Sequence, residues 1–309
     1  MQFLDEMVKR FPVRRSREEK AAFRSWAMQA MREMGYAPRV EENGRAKHQN
    51  IIAGDPEHAA VLFCAHYDTP AVFPLPNLML PRNLPLFFLY QLLCVAILLI
   101  VGLGAMFLVG GLTGSRQAGT LAFLAVYFAL LMLLRMGPAN RHNVNDNTSG
   151  AAALMHIMES LPPEHRGKAA FILFDNEEKG KAGSAAYAQE HPQVAYTRLA
   201  VNLDCVGVGE HILIISKKLA RQHLEFAPMQ RHMAAQEARQ VHFFDAAGSM
   251  VNSDQANFKC GVAVCACKRK KGVGFYTPAI HTARDTQADQ GNLDAIAAGM
   301  SAFVQELNV

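Results

Sequence analysis

The sequence predicts an α/β fold in which helices cover both faces of a β-sheet, interrupted by a hairpin of two membrane-spanning helices. Two observations predict the sheet and its helices: short apolar segments typical of buried strands recur along the chain, and segments with helical apolar spacing separate them. A third observation predicts the hairpin, because the excess apolar content is concentrated in residues 84–134. At 309 residues the chain is long enough for one large domain or two modest ones.

The first apolar run of the hairpin covers residues 84–112 and contains no charged residue. A hydrocarbon core about 30 Å thick needs roughly 20 apolar residues in a helix, so this run is long enough to span it. A second uncharged run, at 117–134, follows a short connector. We predict helices at about 84–112 and 117–136 within a transmembrane hairpin at 80–137, which makes the lipid bilayer a partner. The alternative, a buried core helix, better suits runs of about 10 to 14 residues.

Charges around the hairpin predict its orientation. Arg82, Arg135 and Arg141 flank its outer ends, whereas the connector contains only Arg116. Because cytoplasmic flanks of membrane helices are enriched in Lys and Arg, we expect both termini in the cytoplasm. We expect no secretory leader, since charged residues interrupt any apolar segment within the first ten positions. The expected localisation is therefore an integral membrane protein with a cytoplasmic sheet domain.

The cysteines and the net charge exclude several classes of protein. The six cysteines include no CxxC pair, and Cys94 lies inside the apolar run, so we predict free thiols rather than a disulfide framework or a zinc ribbon. The net charge is only +4. We interpret the basic block KRKK at 268–271 as a solvated turn, with contact to anionic lipid as the alternative, and expect no nucleic-acid partner. The oligomeric state is not predicted.

The hairpin divides the predicted sheet domain into residues 1–72 and 138–309. Ser16 and Glu19 form a capping-box pattern ahead of an amphipathic helix, and the Asn-Gly dipeptide at 43–44 predicts a β-hairpin. Three apolar segments predict buried strands: AAVLFCAHYD, AAFILFDNEE and RLAVNLDCVG. Further helices are predicted at 148–161, 183–190 and 292–307.

Each predicted buried strand ends in side chains that can bind a metal ion. In open α/β sheets, ligands bind beyond the carboxyl ends of the strands. At these strand ends lie His66, Asp68, Asp175, Glu177, Glu178 and Asp204, while Asp146 opens the loop before a predicted helix and His281 lies in the stretch IHTARDT near the end of the chain. Two histidines and three carboxylates are sufficient for two divalent cations if one carboxylate bridges them, because zinc accepts imidazole and carboxylate ligands and prefers about four. The order of these residues therefore predicts a two-metal site.

The adjacent glutamates Glu177 and Glu178 predict how such a site works. One of them can coordinate metal while its neighbour takes a proton from a water molecule, which yields the nucleophilic hydroxide held between two cations roughly 3.5 to 4 Å apart. Metal-binding histidines also need a carboxylate that fixes the orientation of the ring. Asp68 and Asp285 are two and four residues from His66 and His281, and we predict that they have this role.

These residues lie in motifs that resemble the di-zinc aminopeptidase family, which includes secreted bacterial aminopeptidases, aminopeptidase Y, glutamate carboxypeptidase and the glutaminyl cyclases. The resemblance covers most of the chain outside the hairpin and implies a mixed β-sheet flanked by helices. In soluble relatives a short connection joins the motifs that correspond to those of Asp68 and Asp146, whereas in this chain nearly 80 residues, including the hairpin, lie between them. The matching stretches, in the family's order, are AHYDTP, NDNTSGAAALMHIMESL, FDNEEKGKAGSAAY, VNLDCVG, SDQANFKCGVAV and IHTARDT.

The resemblance also implies the cofactors, two zinc ions for which cobalt or manganese can substitute. It assigns the bridging position to Asp146. His66 and Asp204 then complete the coordination of one zinc ion, and Glu178 and His281 that of the other.

The function implied is that of a membrane-anchored zinc aminopeptidase, which hydrolyses the N-terminal bond of a peptide with a free N-terminus. Glu177 matches the general base, and Tyr276 and Asp254 are candidates for binding the substrate. The nearest alternatives are a glutaminyl cyclase, with one zinc ion and no water in the acyl transfer, and a co-catalytic zinc deacylase. Deacylases of that type usually contain an inserted dimerisation domain, for which residues 179–280 leave no room. A non-catalytic membrane receptor or scaffold is a further alternative, although no ligand of the series is missing.

Overall fold

The computed structural model describes residues 2–308 and, within them, ten α-helices and ten β-strands. The helices are α1 (Gln2–Arg10), α2 (Arg17–Glu33), α3 (Leu84–Thr113), α4 (Arg116–Met136), α5 (Gly150–Ser160), α6 (Ala182–Glu190), α7 (Pro192–Thr197), α8 (Lys218–Arg221), α9 (Phe226–Ala234) and α10 (Gln290–Glu306). The strands are β1 (Arg39–Asn43), β2 (His48–Ala53), β3 (Val61–His66), β4 (Leu78–Met79), β5 (Ala169–Phe174), β6 (Leu199–Leu203), β7 (His211–Ser216), β8 (Gln240–Asp245), β9 (Cys260–Lys270) and β10 (Gly274–Pro278).

The strands form one mixed sheet. Eight of them follow the order β1-β2-β5-β3-β6-β9-β10-β4, and β7 pairs with both β9 and β8. The central strands β5, β3, β6 and β9 are parallel to one another, whereas β1, β2, β10 and β4 make antiparallel pairs. The predicted α/β fold with a mixed sheet is confirmed.

Helices cover both faces of this sheet. On one face, Phe63 and Phe171 belong to a buried cluster that includes side chains of α1, α2, α5, α9 and α10. On the other face, Leu62 and Ile172 pack with Tyr187 of α6 and with side chains of α7. Burying an aliphatic or aromatic side chain stabilises the fold by roughly 1.5 to 3 kcal/mol, so the sheet is held from both sides.

Most predicted elements lie where the sequence places them. The predicted capping box is present, because Ser16 accepts a hydrogen bond from the Glu19 amide and Glu19 accepts one from the Ser16 amide. The β1–β2 hairpin is also present, but its turn comprises residues 44–47 rather than two residues. The six cysteines are free thiols, as predicted. Strands β7, β8 and β10, which extend the sheet beyond its parallel centre, are not predicted from the sequence.

Helices α3 and α4 pack against each other and are long and apolar enough to cross a membrane. Their apolar side chains face outwards: Phe107 is 71% exposed and Leu112 is 80% exposed. A helix in the core of a domain would bury such side chains, so this exposure favours candidate spans over the core-helix alternative. The two helices approach closely at Gly119, where a Cβ atom would lie 2.6 Å from the Met106 carbonyl oxygen.

The two ends of the hairpin return to one place on the sheet domain. Ala71 and Ala139 form a β-bridge, and the Val72 amide donates a hydrogen bond to the Pro138 carbonyl at 2.9 Å. The Arg15 side chain donates to the carbonyls of Gly137 and Arg135 at the end of α4. The chain therefore leaves the domain for the hairpin and re-enters it at neighbouring positions.

Candidate metal centre

Three neighbouring parallel strands bring the predicted ligands together. His66 is the last residue of β3 and lies opposite Phe174, the last residue of β5. Strand β6 flanks β3 on its other side and is followed directly by Asp204. Because parallel strands end at the same edge of a sheet, the residues that follow β5, β3 and β6 converge there.

The converging side chains form overlapping groups. The donor atoms of His66, Asp146 and Asp204 lie within 4.8 Å of one another, as do those of Asp146, Glu178 and His281. Asp146 belongs to both groups, and its two oxygens face different histidines. Its Oδ1 lies 3.4 Å from His66 Nε2, and its Oδ2 lies 2.9 Å from His281 Nε2. A third group contains His66, Glu177 and Glu178.

Asp146 is held by the loop that precedes α5. The Asp285 carboxylate accepts hydrogen bonds from the amides of Asn145 at 2.8 Å and Asp146 at 2.9 Å. The Asn147 side chain donates to the Leu203 carbonyl at the end of β6 and accepts from the Cys205 amide. Asn147 thereby joins the Asp146 loop to the turn that contains Asp204. This role of Asn147 is not predicted from the sequence, because nothing in the motif NDN distinguishes it from a solvated turn residue.

Asp68 has two roles at the edge of the sheet. Its Oδ1 lies 3.4 Å from His66 Nδ1, the position predicted for a carboxylate that orients the ring. Its oxygens also accept hydrogen bonds from the amides of Glu177 at 2.9 Å and Glu178 at 3.2 Å. This turn is supported from behind by buried Lys20, which donates to Asp175 at 2.6 Å and to Asn176 at 2.7 Å.

The structure places the other predicted residues less centrally. Asp285 contacts the backbone before Asp146, and among the described contacts it makes none with the His281 ring. Asp175 pairs with Lys20 and lies outside the metal-ligand groups. Tyr276 lies on β10 opposite Lys268, half-buried. Asp254 is fully buried and accepts a hydrogen bond from Ser184 at 2.5 Å.

The electrostatics of the cluster favour an added positive charge. Burial lowers the pKa of His281, but the negative charges of Glu178 and Asp146 outweigh this effect and raise the pKa to about 10. Burial raises the pKa of Glu178 to about 8. Burial also raises the pKa of Glu177 well above its usual range, with Glu178 adding to the effect and His66 opposing it. Carboxylates thus outnumber cations in this part of the described chain, and a divalent cation would stabilise their ionised forms.

Two buried oxygens give a direct test of whether a metal fits. Glu178 Oε1 and Asp204 Oδ1 make no hydrogen bond within the described residues. Buried polar atoms are almost always paired, and metal coordination would satisfy both oxygens. The donor set of imidazole nitrogens and carboxylate oxygens is also one that zinc accepts. The residues present therefore fit a metal centre.

The cluster opens to solvent on one side. The His66 side chain is 1% exposed, whereas that of His281 is 34% exposed. A cavity of about 30 Å³ touches Asp68 and Glu178. This cavity has room for only about one water molecule, so the side near His281 is the more open approach to the cluster.

The sequence profile of peptidase family M28 matches residues 132–304, more than half of the chain. No curated protein sequence matches significantly.

Solved structures with the same fold include a glutaminyl cyclase from Porphyromonas gingivalis, with a TM-score of 0.59, 18% identity, and coverage of 99% of this chain and 96% of that chain. A Zn-dependent exopeptidase from Parabacteroides distasonis has a TM-score of 0.59 at 15% identity, with 99% and 96% covered. The LapA aminopeptidase from Legionella pneumophila has a TM-score of 0.58 at 13% identity, with 98% and 69% covered. The chain therefore belongs to peptidase family M28 and is an enzyme of the metallopeptidase type.

Proposed function

We propose that this protein is a membrane-anchored, zinc-dependent aminopeptidase that hydrolyses the N-terminal bond of peptides with a free amine. The observation on which the proposal rests is that two ligand groups share Asp146 while Glu177 lies beside them. Membership of family M28 supports a peptidase, and the exopeptidase and aminopeptidase among the structural neighbours support zinc and the N-terminal preference.

In this proposal the two groups bind two zinc ions. Asp146 would contribute an oxygen to each ion, because its two oxygens face His66 and His281 separately. Asp204 joins His66 at one ion and Glu178 joins His281 at the other. When bound, zinc would polarise the scissile carbonyl group and lower the pKa of a water molecule.

Glu177 is the proposed general base. Glu177 is next in the chain to the proposed metal ligand Glu178. The Asp68 carboxylate accepts a hydrogen bond from the Glu177 amide and so fixes the turn. A buried carboxylate with a raised pKa is a more effective proton acceptor near neutral pH than an exposed one. Glu177 would accept a proton from the attacking water and deliver it to the leaving amine.

A carboxylate outside the proposed ligand groups, Asp254, supports a substrate with a free N-terminus. Asp254 lies close enough to Glu177 for its charge to raise the pKa of Glu177, and one of its oxygens has no partner within the described residues. A protonated amine is attracted by a carboxylate that binds no metal ion, whereas an acetylated amine is not. Burial raises the pKa of Asp254 to about 7, and we propose that a protonated amine nearby stabilises its ionised form. Tyr276 remains a candidate for direct substrate contact.

Glutaminyl cyclase activity is the second candidate, favoured by the similarity to the Porphyromonas gingivalis enzyme. The overlapping ligand groups support two cations and thus the hydrolase. Against a deacylase, residues between Glu178 and His281 form strands of the same sheet rather than an inserted domain.

We further propose that α3 and α4 span a bilayer as an insertion at 80–137, with the peptidase domain of residues 1–72 and 138–309 in the cytoplasm. The exposed apolar surface of the helices and the Ala71–Ala139 bridge support this arrangement. A reporter that is active only in an oxidising compartment, fused to the C-terminal end, tests the orientation. We expect no signal, and a strong one would place the domain outside.

The activity is tested on the full chain purified in detergent. We expect about two zinc ions per chain by metal analysis, hydrolysis of aminoacyl-anilides, and no hydrolysis of the matched N-acetylated anilides. An N-terminal Gln peptide is included to detect cyclisation. Cyclisation without anilide hydrolysis, or efficient cleavage of the acetylated substrates, would contradict the proposal.

A further inference from the structure

We infer that residues 73–79, here called the strap, position the ligand His281, and that Tyr90 of α3 ties the strap to the hairpin. The inference rests on the proposed metal centre. The strap, which lies outside the ligand motifs, would then have a role in metal binding. Through Tyr90 it would link the hairpin to the position of His281.

Backbone hydrogen bonds and the Asn77 side chain join the strap to the loop 279–281, here called the ligand loop. The Phe73 amide donates to the His281 carbonyl at 2.7 Å. The Asn77 side chain donates to the Ile280 carbonyl at 3.1 Å, and the Ala279 amide donates to the Asn77 carbonyl at 2.8 Å. All three residues of the ligand loop are thus bonded to the strap.

The conformation of the ligand loop explains why it needs such support. Ala279 has φ of 71° and His281 has φ of 59°, so both non-glycine residues lie in the left-handed region. Such conformations are unfavourable and persist only where surrounding structure determines them. A cavity of about 370 Å³ is lined by both segments, so apolar packing between them is incomplete. The hydrogen bonds therefore contribute much of the support.

A second set of contacts joins the strap to α3. The Tyr90 hydroxyl donates to the Pro76 carbonyl and lies 3.4 Å from the Asn77 side-chain oxygen. Asn83, which caps the start of α3, donates to the Val273 carbonyl at 2.8 Å, in the turn between β9 and β10. The first helix of the hairpin is thus attached to the strap and to the turn that precedes β10, the strand that leads into the ligand loop.

These contacts make Asn77 and Tyr90 positioning residues, which act on the metal through His281. If the strap were only a connection between the sheet domain and α3, it would not need these hydrogen bonds to the ligand loop. Loss of the Asn77 donor should therefore weaken the ion bound by Glu178 and His281 while leaving the ion bound by His66 and Asp204 unchanged.

The test is a Zn²⁺ titration of the full metal-free chain in lipid nanodiscs, with a competing chelator. We expect Asn77→Ala to raise one of the two dissociation constants by about 10- to 100-fold, the range seen when a group supporting a metal ligand is removed. Asn77→Asp keeps the shape of the side chain but lacks the donor, and it should have a similar effect. Tyr90→Phe should raise the same constant by about threefold to tenfold, as expected for one hydrogen bond.

Tyr127→Phe is the matched control. Tyr127 lies in α4 and stacks on Phe123, and its hydroxyl makes no hydrogen bond within the described residues. Thermal unfolding of each metal-free variant shows whether the fold is intact. Unchanged constants in folded Asn77 variants, or equal weakening of both sites, would overturn the inference. A wild-type chain that binds fewer than two zinc ions would instead refute the proposed metal centre.

Discussion

The two halves of the candidate metal centre are built differently. His66 and Asp204 stand at the ends of central parallel strands, and the His66 side chain is 1% exposed. Glu178 and His281 lie in turns outside the strands, and the His281 side chain is 34% exposed. We call His66 and Asp204 the strand-end half, and the sheet itself holds them in place. We call Glu178 and His281 the loop half, and their geometry depends on other segments of the chain.

This difference shows what a ligand outside a strand requires. The turn with Glu177 and Glu178 is supported by Asp68 and Lys20, and the loop with His281 is supported by the strap. Asp68 serves both halves, because it also faces the His66 ring. A loop ligand therefore needs partners that are distant in sequence, and substitutions of those partners can separate the two halves.

The largest effect on turnover is expected from Glu177→Gln, which removes the proposed general base that lies beside both halves. The amide cannot accept the proton, so turnover should fall by about 10² to 10⁴ while both metals stay bound. Glu178→Gln is the matched control and should lose one metal. Turnover and zinc content are measured together. Metal loss in Glu177→Gln with retention in Glu178→Gln would reverse the two roles.

The next largest effect is a difference in zinc affinity between two deletion variants. Replacing residues 84–136 by about 15 Gly and Ser residues, which span roughly 20 Å, removes the hairpin but keeps the strap. This soluble variant should bind two zinc ions and retain turnover within about tenfold of the full chain. Joining Val72 to Gly137 by a short linker also removes the strap and should weaken the loop-half metal by about 10- to 100-fold. Equal zinc affinity in two folded deletion variants would contradict the difference between the halves.

A smaller effect on zinc affinity distinguishes the two supporting carboxylates, Asp68 and Asp285. Asp68→Asn loses an acceptor that serves both halves, so zinc affinity should fall by about 10- to 100-fold. Asp285→Asn keeps one acceptor oxygen for the amides before Asp146, and we expect a loss of about threefold to tenfold. Chelator competition measures both variants. A greater loss in Asp285→Asn would mean that the Asp146 backbone, rather than the Glu177 turn, limits metal binding.

The strand-end half was the more predictable from sequence. The apolar segments that end in His66 and Asp204 predict both the strands and their common edge, since parallel strands place their ends together. The partner of Asp285 was not predictable, because it follows from the fold of two loops and not from spacing. The same holds for the strap: Asn77 and Phe73 look like linker residues in the sequence, and only their backbone contacts show otherwise.

Arg15 gives the hairpin a second attachment, in addition to Tyr90 and Asn83 at α3. Its guanidinium group donates to carbonyls at the end of α4, where the helix dipole is negative and a cation is favourable. If the hairpin spans a bilayer as proposed, these contacts would restrict the rotation of the sheet domain above it. The distance of the candidate metal centre from the lipid surface would then be set by these contacts. Under the proposed aminopeptidase function, a peptide tail of a neighbouring membrane protein would be shortened only to the length that reaches the metal centre at this distance.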